Sequence, residues 1–493
     1  MLKAFRVPVC MFLGAALVFC GLVPCVSASP SNMTMMNSVD AAMAYNPEIK
    51  ARQESRQVSE HAVTRAKAGH MPKVNLYGGA GYSRLSDSTS REYDEDHSFR
   101  RVADAGMRLS QPLFHGFGVT YDVDARKSEL DMAQKNLEDR AAAIAFDAIV
   151  AHTDVLRRRS LATLAERNVK EHADILATVE NRYKTGVATV GELNQIRSRH
   201  SRALATLYSY QAALDAAIAN YQRVVGKTPG ALSPAPVPGR ALGSVAEVRD
   251  LAIQHHPRLQ ASLSELKAAQ SEKGQAKSRF YPFFDIVAGP TWTNRDSEAS
   301  LRVTEFVGEV RMNWEIFSGG ADDATLKMAG ARIRQARHNL NSLMNSISED
   351  IESTYSRYLS AAKELREYAE ACSASRLARN DYYRQFLSAQ RSLLDVLDAE
   401  NDYFYAASQE VLSRSDRMIA SYRLLALGGV LLTDLKLDPQ TLQISTPTTS
   451  EKTPNMKSDF DSPLSRSWVQ GMDYDAPVGS APYGGTPPRR TAR

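Results

Sequence analysis

The amino-acid sequence is written twice. Asn46-Pro47 matches His256-Pro257, Pro72 matches Pro282 and Gly79 matches Gly289, all at an offset of 210. Leu113-Phe114 then matches Ile316-Phe317, and Asn136-Leu137 matches Asn339-Leu340, at an offset of 203. The offset changes within the polar stretch Ser83–Arg100, where the first copy carries seven extra residues. An insertion accepted there marks an exposed loop. Two tandem halves result, 38–228 and 244–430, joined by a proline-rich linker over 229–243. Any fold for this chain must use one supersecondary plan twice.

Most of each half reads as helix. Proline is absent from Leu113 to Thr228 and from Thr291 to Asp438, and these stretches are rich in Ala, Leu, Glu, Arg and Gln. Val123, Leu130, Leu137, Ile144 and Ala151 recur every seven residues, answered in the second half by Leu326, Ile333, Leu340, Ile347 and Thr354. A seven-residue period implies a left-handed supercoiled seam. Beyond a break at Thr185-Gly186 the pattern resumes in two adjacent rows, Leu193 to Tyr221 and Ile196 to Val224. The spacing predicts long helices over 119–183 and 322–386 and return helices over 189–226 and 392–428. At ~1.5 Å per residue, a helix of this length spans ~100 Å, far more than a globular domain needs.

Between each half's first helix and its long helix the period falls to two. Phe306, Val310, Met312, Trp314 and Ile316 share one face, and Glu305, Glu309, Arg311, Asn313 and Glu315 the other. Phe284, Ile286, Ala288 and Trp292 alternate with Asp285, Gly289, Thr291 and Thr293. In the first half, Val74, Leu76, Ala80 and Tyr82 alternate with Asn75, Gly79 and Ser83, and Ala103, Ala105, Met107 and Leu109 with Asp104, Arg108 and Ser110. Apolar outside and polar inside is the pattern of a membrane β-barrel, which places β-hairpins over 73–113 and 282–317. Four strands cannot close a barrel, and an open edge in hydrocarbon leaves backbone groups unsatisfied. Assembly is therefore obligatory; three copies give about twelve strands and room for water, where two give about eight and a filled interior.

The N-terminus supports export. Lys3 and Arg6 precede an apolar run from Val7 to Val23, and Val26-Ser27-Ala28 suits a signal peptidase, so residues 1–28 read as a signal peptide. Only Cys372 lies outside that segment, which excludes a disulfide scaffold and a cysteine-rich metal site. Sixty basic against 56 acidic residues give no reason to expect a nucleic-acid partner. The stretch 438–493, rich in Pro, Ser, Thr and Asp, reads as a disordered tail.

With QPLFHGF (Gln111–Phe117) and NWEIFSGG (Asn313–Gly320) at the strand-to-helix junctions, the chain resembles the TolC family of outer-membrane channel-tunnels over about 38–430. The most specific piece is FLSAQRSLLDVLDAE (Phe386–Glu400), similar to the family's periplasmic tip, followed by SYRLLALGGVLL (Ser421–Leu432). That ending, with LRRRSLATLAERN in the first half, is similar to the channels of type I secretion systems. The resemblance implies an α+β, mainly α membrane protein with a duplicated helix–β-hairpin–long helix–helix unit. It implies a homotrimer in which a twelve-stranded β-barrel in the outer membrane continues as a coiled-coil α-barrel across the periplasm. It also implies a non-enzymatic duct, without a cofactor, that works with a periplasmic adaptor and an inner-membrane ATP-binding cassette (ABC) transporter in protein secretion. Multidrug or metal efflux with a proton-driven pump, and a soluble periplasmic coiled-coil scaffold, are the alternatives left open.

By the same resemblance, Asp395 and Asp398 match acidic rings at the closed periplasmic entrance, Arg391 the basic residue that holds it shut, and Glu192 that arginine's acid partner. Carboxylates converging on a narrow axis attract cations and repel anions. Thr189-x-x-Glu192 and Ser392-x-x-Asp395 also fit helix capping boxes, a role compatible with a gate. Gly186, Val187, Ala389 and Gln390 match the turns that receive the adaptor, with Ala389 standing where glycine is usual. Two further signals lead nowhere. Gly226-Lys227-Thr228 lacks the first glycine of a phosphate-binding loop and follows a helix. His255-His256 has no further ligand at metal spacing and reads as solvated surface.

Overall fold

The computed structural model describes residues 33–84, 91, 99–238, 240, 243–295 and 302–437. The segments expected to be a signal peptide, 1–28, and a disordered tail, 438–493, and most of the insertion after Arg84 lie outside the described residues.

Each half begins with a helix broken once. In the first half the pieces are α1 (Met35–Tyr45) and α2 (Pro47–Lys67). Proline cannot continue a helix but suits its first position, so the preceding residue must end one helix and start the next. Asn46 does both: its N–H donates to the Ala42 carbonyl and its side chain accepts from the Glu48 N–H at 2.8 Å.

The chain then forms two antiparallel strands, β1 (Lys73–Arg84) and β2 (Phe99–His115), and the helices α3 (Gly118–Lys184) and α4 (Val190–Val225). The second half repeats the plan. Its elements are α5 (Val245–His255), α6 (Pro257–Ser278), β3 (Phe283–Arg295), β4 (Arg302–Asn313), α7 (Ala321–Leu387), α8 (Leu393–Leu427) and a short α9 (Leu431–Asp434). His256 here takes the place of Asn46, its ring nitrogen accepting from the Arg258 N–H at 3.2 Å. It is buried, 8% exposed, and thus a helix cap rather than the solvated histidine expected from sequence.

The strands form one antiparallel sheet in the order β1-β2-β3-β4, with β1 and β4 at its free edges. Opposed residues share a face, as in Leu76 with Met107 and Ile286 with Val310. The polar face is internally bonded: His115 Nε2 lies 2.8 Å from Asp285, and the Tyr77 hydroxyl 3.1 Å from that of Thr291. At the helix end of the sheet's apolar side, Phe114 packs edge-on against Phe117 and Tyr281, an aromatic girdle where strands meet helices. Two local expectations are corrected. A bulge between Pro112 and Phe114 carries β2 on to His115, and β4 stops at Asn313 although the alternation continues to Ile316. Trp314 instead turns to donate its indole N–H to the Phe280 carbonyl at 3.3 Å.

The heptad seam of α3 is buried at Val123, Leu137, Ile144 and Ala151. Small residues between them, Ala125, Ala141, Ala145 and Ala148, admit neighbouring helices closely. The matching seam of α7 is buried at Ile347 and Thr354 but only half-covered at Leu326, Ile333 and Leu340. At mid-height a polar network ties the first half together. Ser38 Oγ lies 2.9 Å from His152 Nδ1 and 2.8 Å from the Tyr221 hydroxyl, and His152 Nε2 lies 2.8 Å from the Ser233 carbonyl of the linker. Burial lowers the His152 pKa, so the ring is neutral, accepting from Ser38 and donating to Ser233.

Candidate functional site

The far end of the helices, opposite the strands, holds every residue singled out for the gate and the adaptor. Two helix–turn–helix tips lie side by side there, α3–α4 and α7–α8, over one apolar cluster of Ile175, Val179, Leu193, Ile196, Phe386, Leu393, Val396 and Leu397. The turns are copies of each other. In the first, the N–H groups of Gly186 and Val187 bond the carbonyls of Tyr183 and Arg182; in the second, those of Ala389 and Gln390 bond Phe386 and Gln385. This pairing ends a helix with one residue in the left-handed region. Gly186 takes it at φ 78° and Ala389 at φ 59°, so the alanine adopts the glycine conformation at a cost. Gly186, Val187, Ala389 and Gln390 are all exposed.

Both return helices start with a hydroxyl cap. Thr189 accepts from the Glu192 N–H at 3.2 Å, while a Glu192 oxygen accepts from the Thr189 N–H at 2.7 Å, a complete capping box. Ser392 accepts from the Asp395 N–H at 3.2 Å. The Ser392 hydroxyl and backbone, with Arg391, hold the Asp395 carboxyl below its ordinary range.

The residues matched to a gate are brought to one end but not all into contact. Arg391 lies 3.6 Å from Asp395, stacks 4.0 Å over the Tyr382 ring and donates from Nε to Gln385 at 3.1 Å. Glu192 is engaged by its own cap, and among the described residues no ion pair joins it to Arg391. Asp398 reaches across instead, 3.4 Å from Arg199 on α4.

Two ties escaped the sequence reading. Arg182, in the last turn of α3, donates to the carbonyls of Phe386 and Leu387 at 2.7 and 3.1 Å and stacks 4.1 Å over the Phe386 ring. Those carbonyls end α7, and a cation from the other hairpin adds to the turn's own Ala389 N–H on the Phe386 carbonyl and supplies a partner to that of Leu387. Glu400, two turns into α8, is 3% exposed and lies 3.6 Å from Arg379. Burial raises its pKa to about 7 against the opposing pull of Arg379, with Glu171 of α3 adding to the rise. Its signal was present: position 400 falls seven residues after Leu393, on the apolar row.

The family description "Outer membrane efflux protein" matches residues 39–227 and 248–430. The chain belongs to this family. The family's two matched segments fall on the two structural halves. The chain is 24% identical to the outer membrane efflux protein BepC of Brucella suis biovar 1, over 85% of this chain and 90% of that protein. It is 21% identical to the proteases secretion protein PrtF of Dickeya chrysanthemi, over 77% and 84%. The solved structure of CusC shares the fold at a TM-score of 0.71 and 16% identity, covering 82% of this chain and 92% of that one. The protein is thus a non-enzymatic channel of the TolC type, set in the outer membrane with a periplasmic extension. It assembles as a trimer and operates with partner export machinery in a tripartite system.

Proposed function

We propose that this channel serves type I protein secretion, taking an unfolded polypeptide from an inner-membrane ABC transporter through a periplasmic adaptor. In this reading residues 1–28 direct export and are removed, and the halves 38–228 and 244–430 build the duct. The observation that carries the reading is the build of the tip. Two exposed, stereochemically matched turns offer the adaptor a repeated surface at Gly186, Val187, Ala389 and Gln390. Beside them Asp395 and Asp398 form the gate, restrained by Arg391 and Arg199, with Glu192 holding the neighbouring cap. These ties are exposed ion pairs and hydrogen bonds, each of the order of 1 kcal/mol, so a docking partner can exchange them without unfolding the helices. Likeness to PrtF, a proteases secretion protein, over most of both lengths supports the choice of cargo class. Likeness to the efflux protein BepC favours a second reading, small-molecule efflux with a proton-driven pump.

Photo-cross-linking from Val187 and Gln390 in cells distinguishes them. Capture of an adaptor together with an ABC transporter and a secreted polypeptide supports secretion. Capture of a proton-driven pump's adaptor transfers the protein to efflux, and no capture from either position removes the docking role of the turns.

A further inference from the structure

The sign and position of charge on the outward face of the sheet are segregated. The apolar set Leu76, Met107, Phe306, Ile286 and Val310 fixes which side faces lipid, and the strand register then assigns the charged strand positions to a side, with positions Arg100 and Arg295 falling in the inner register. Asp104, Asp285, Glu305 and Glu309 all lie on the inner side, with Lys73, Arg108, His115 and Arg311. On the outer side the charges are Arg84, Arg101 and Arg302, each exposed and each at the end of the sheet remote from the helices. Among the described residues none of the three makes an ion pair, whereas the inner Asp285 and Glu309 engage His115 and Arg311.

Their height is that of a lipid headgroup. From Phe284, beside the aromatic girdle, ten residues along β3 lead to Asn294, which is paired with Arg302. At ~3.4 Å per residue and ~40° of tilt this is ~26 Å above Phe284, against an apolar band ~25 Å tall. Arg101, opposite Tyr82, lies one outward position higher and Arg84, opposite Phe99, one higher still. Arg84 and Arg101 are diagonal neighbours across a strand pair, ~7–8 Å apart. Tyr82 and Phe99, 70% and 72% exposed, stand among them.

We infer that this outward rim is a binding surface for the phosphorylated glycolipid of the outer leaflet, its arginines clamping glycosidic phosphates while Tyr82, Phe99 and Trp292 lie along the acyl and sugar boundary. Guanidinium groups pair with phosphate through two parallel hydrogen bonds, and among the described strand residues the acids all fall on the inner wall. The patch recurs three times around the trimer. It does not depend on whether the channel carries polypeptide or small molecules.

The test is binding of defined lipids to the purified full-length trimer, read by native mass spectrometry in detergent. The comparison is between wild type, Arg84→Gln/Arg101→Gln/Arg302→Gln, and the inner-face control Arg311→Gln. Bisphosphorylated lipid A should bind wild type and R311Q at least tenfold more tightly than the triple variant, and dephosphorylated lipid A should lose the same factor on wild type. Phosphatidylglycerol binding as tightly as lipid A would reduce the surface to generic anion attraction and overturn the assignment. Equal lipid A affinity in the triple variant would overturn it too. If the triple variant fails to trimerise, R101Q and R302Q singly and the dephosphorylated lipid on wild type decide the question.

Discussion

Arg182 Nη2 lies 2.7 Å from the carbonyl oxygen of Phe386, so the last turn of one long helix caps the last turn of the other. Residues 182 and 386 belong to different halves of the repeat, and the pseudo-equivalent of Arg182 is Gln385, which serves Arg391 instead. The duplication has diverged at this position: one copy closes its neighbour's helix and the other holds its own hairpin. The second tip is consequently restrained from both sides.

Replacing Arg182 with Met keeps an apolar stem over Phe386 and removes both charge-assisted hydrogen bonds. Loss of about 1–2 kcal/mol of local stability is expected. Hydrogen exchange should accelerate about tenfold at the Ala389 and Gln390 amides, with the amides of α3 near Ala145 unchanged. Equal protection at the second turn would show that the cap contributes nothing.

Ala389 sits at φ 59° where its counterpart Gly186 sits at 78°. A left-handed alanine costs ~1–2 kcal/mol, partly offset by the freedom glycine has in the unfolded chain. Ala389→Gly should therefore stabilise the tip by about 0.5–1 kcal/mol, and Gly186→Ala should destabilise it by about 1 kcal/mol. The temperature at which the unheated trimer dissociates on a gel reads both, and opposite signs are the expected result.

Glu400 links stability to pH. Its pKa in the fold is about 7, above the 4.5 of a free glutamate, so between these values the folded chain binds more protons than the unfolded one. Stability from this group is thus complete below pH 4.5 and is lost as pH rises to 7, on the order of 3 kcal/mol at most. Relative to wild type, Glu400→Gln should gain stability progressively from pH 5 to pH 8. A constant difference across that range would mean that Glu400 is ionised in the fold throughout.

How much of this was legible follows from which signals are periodic. The seam from Val123 to Ala151 and the alternation from Phe284 to Trp292 are written into spacing, because burial on one face repeats with the geometry of the element. Strand ends are not periodic: Ile316 continues the alternation of β4, yet the strand stops where Trp314 finds the Phe280 carbonyl. His256 read as surface because no further ligand stands at metal spacing from it, and only the fold shows that it and its matched partner Asn46 serve the same cap. Glu192 and Asp395 were readable as caps from Thr189 and Ser392 alone. Arg182 and Arg199 were not, since both act across hairpins about 200 residues apart in sequence. The turns at Gly186 and Ala389 were legible as a pair through the repeat, although their conformation was not.

Single-channel current through the purified trimer in a planar bilayer tests the proposed acid-lined periplasmic gate most directly. Wild type should give small cation-selective steps, and Asp395→Asn/Asp398→Asn should move the reversal potential in a salt gradient toward zero while the trimer stays intact. Absence of conductance, anion selectivity in wild type, or an unchanged reversal potential in the double variant would contradict it.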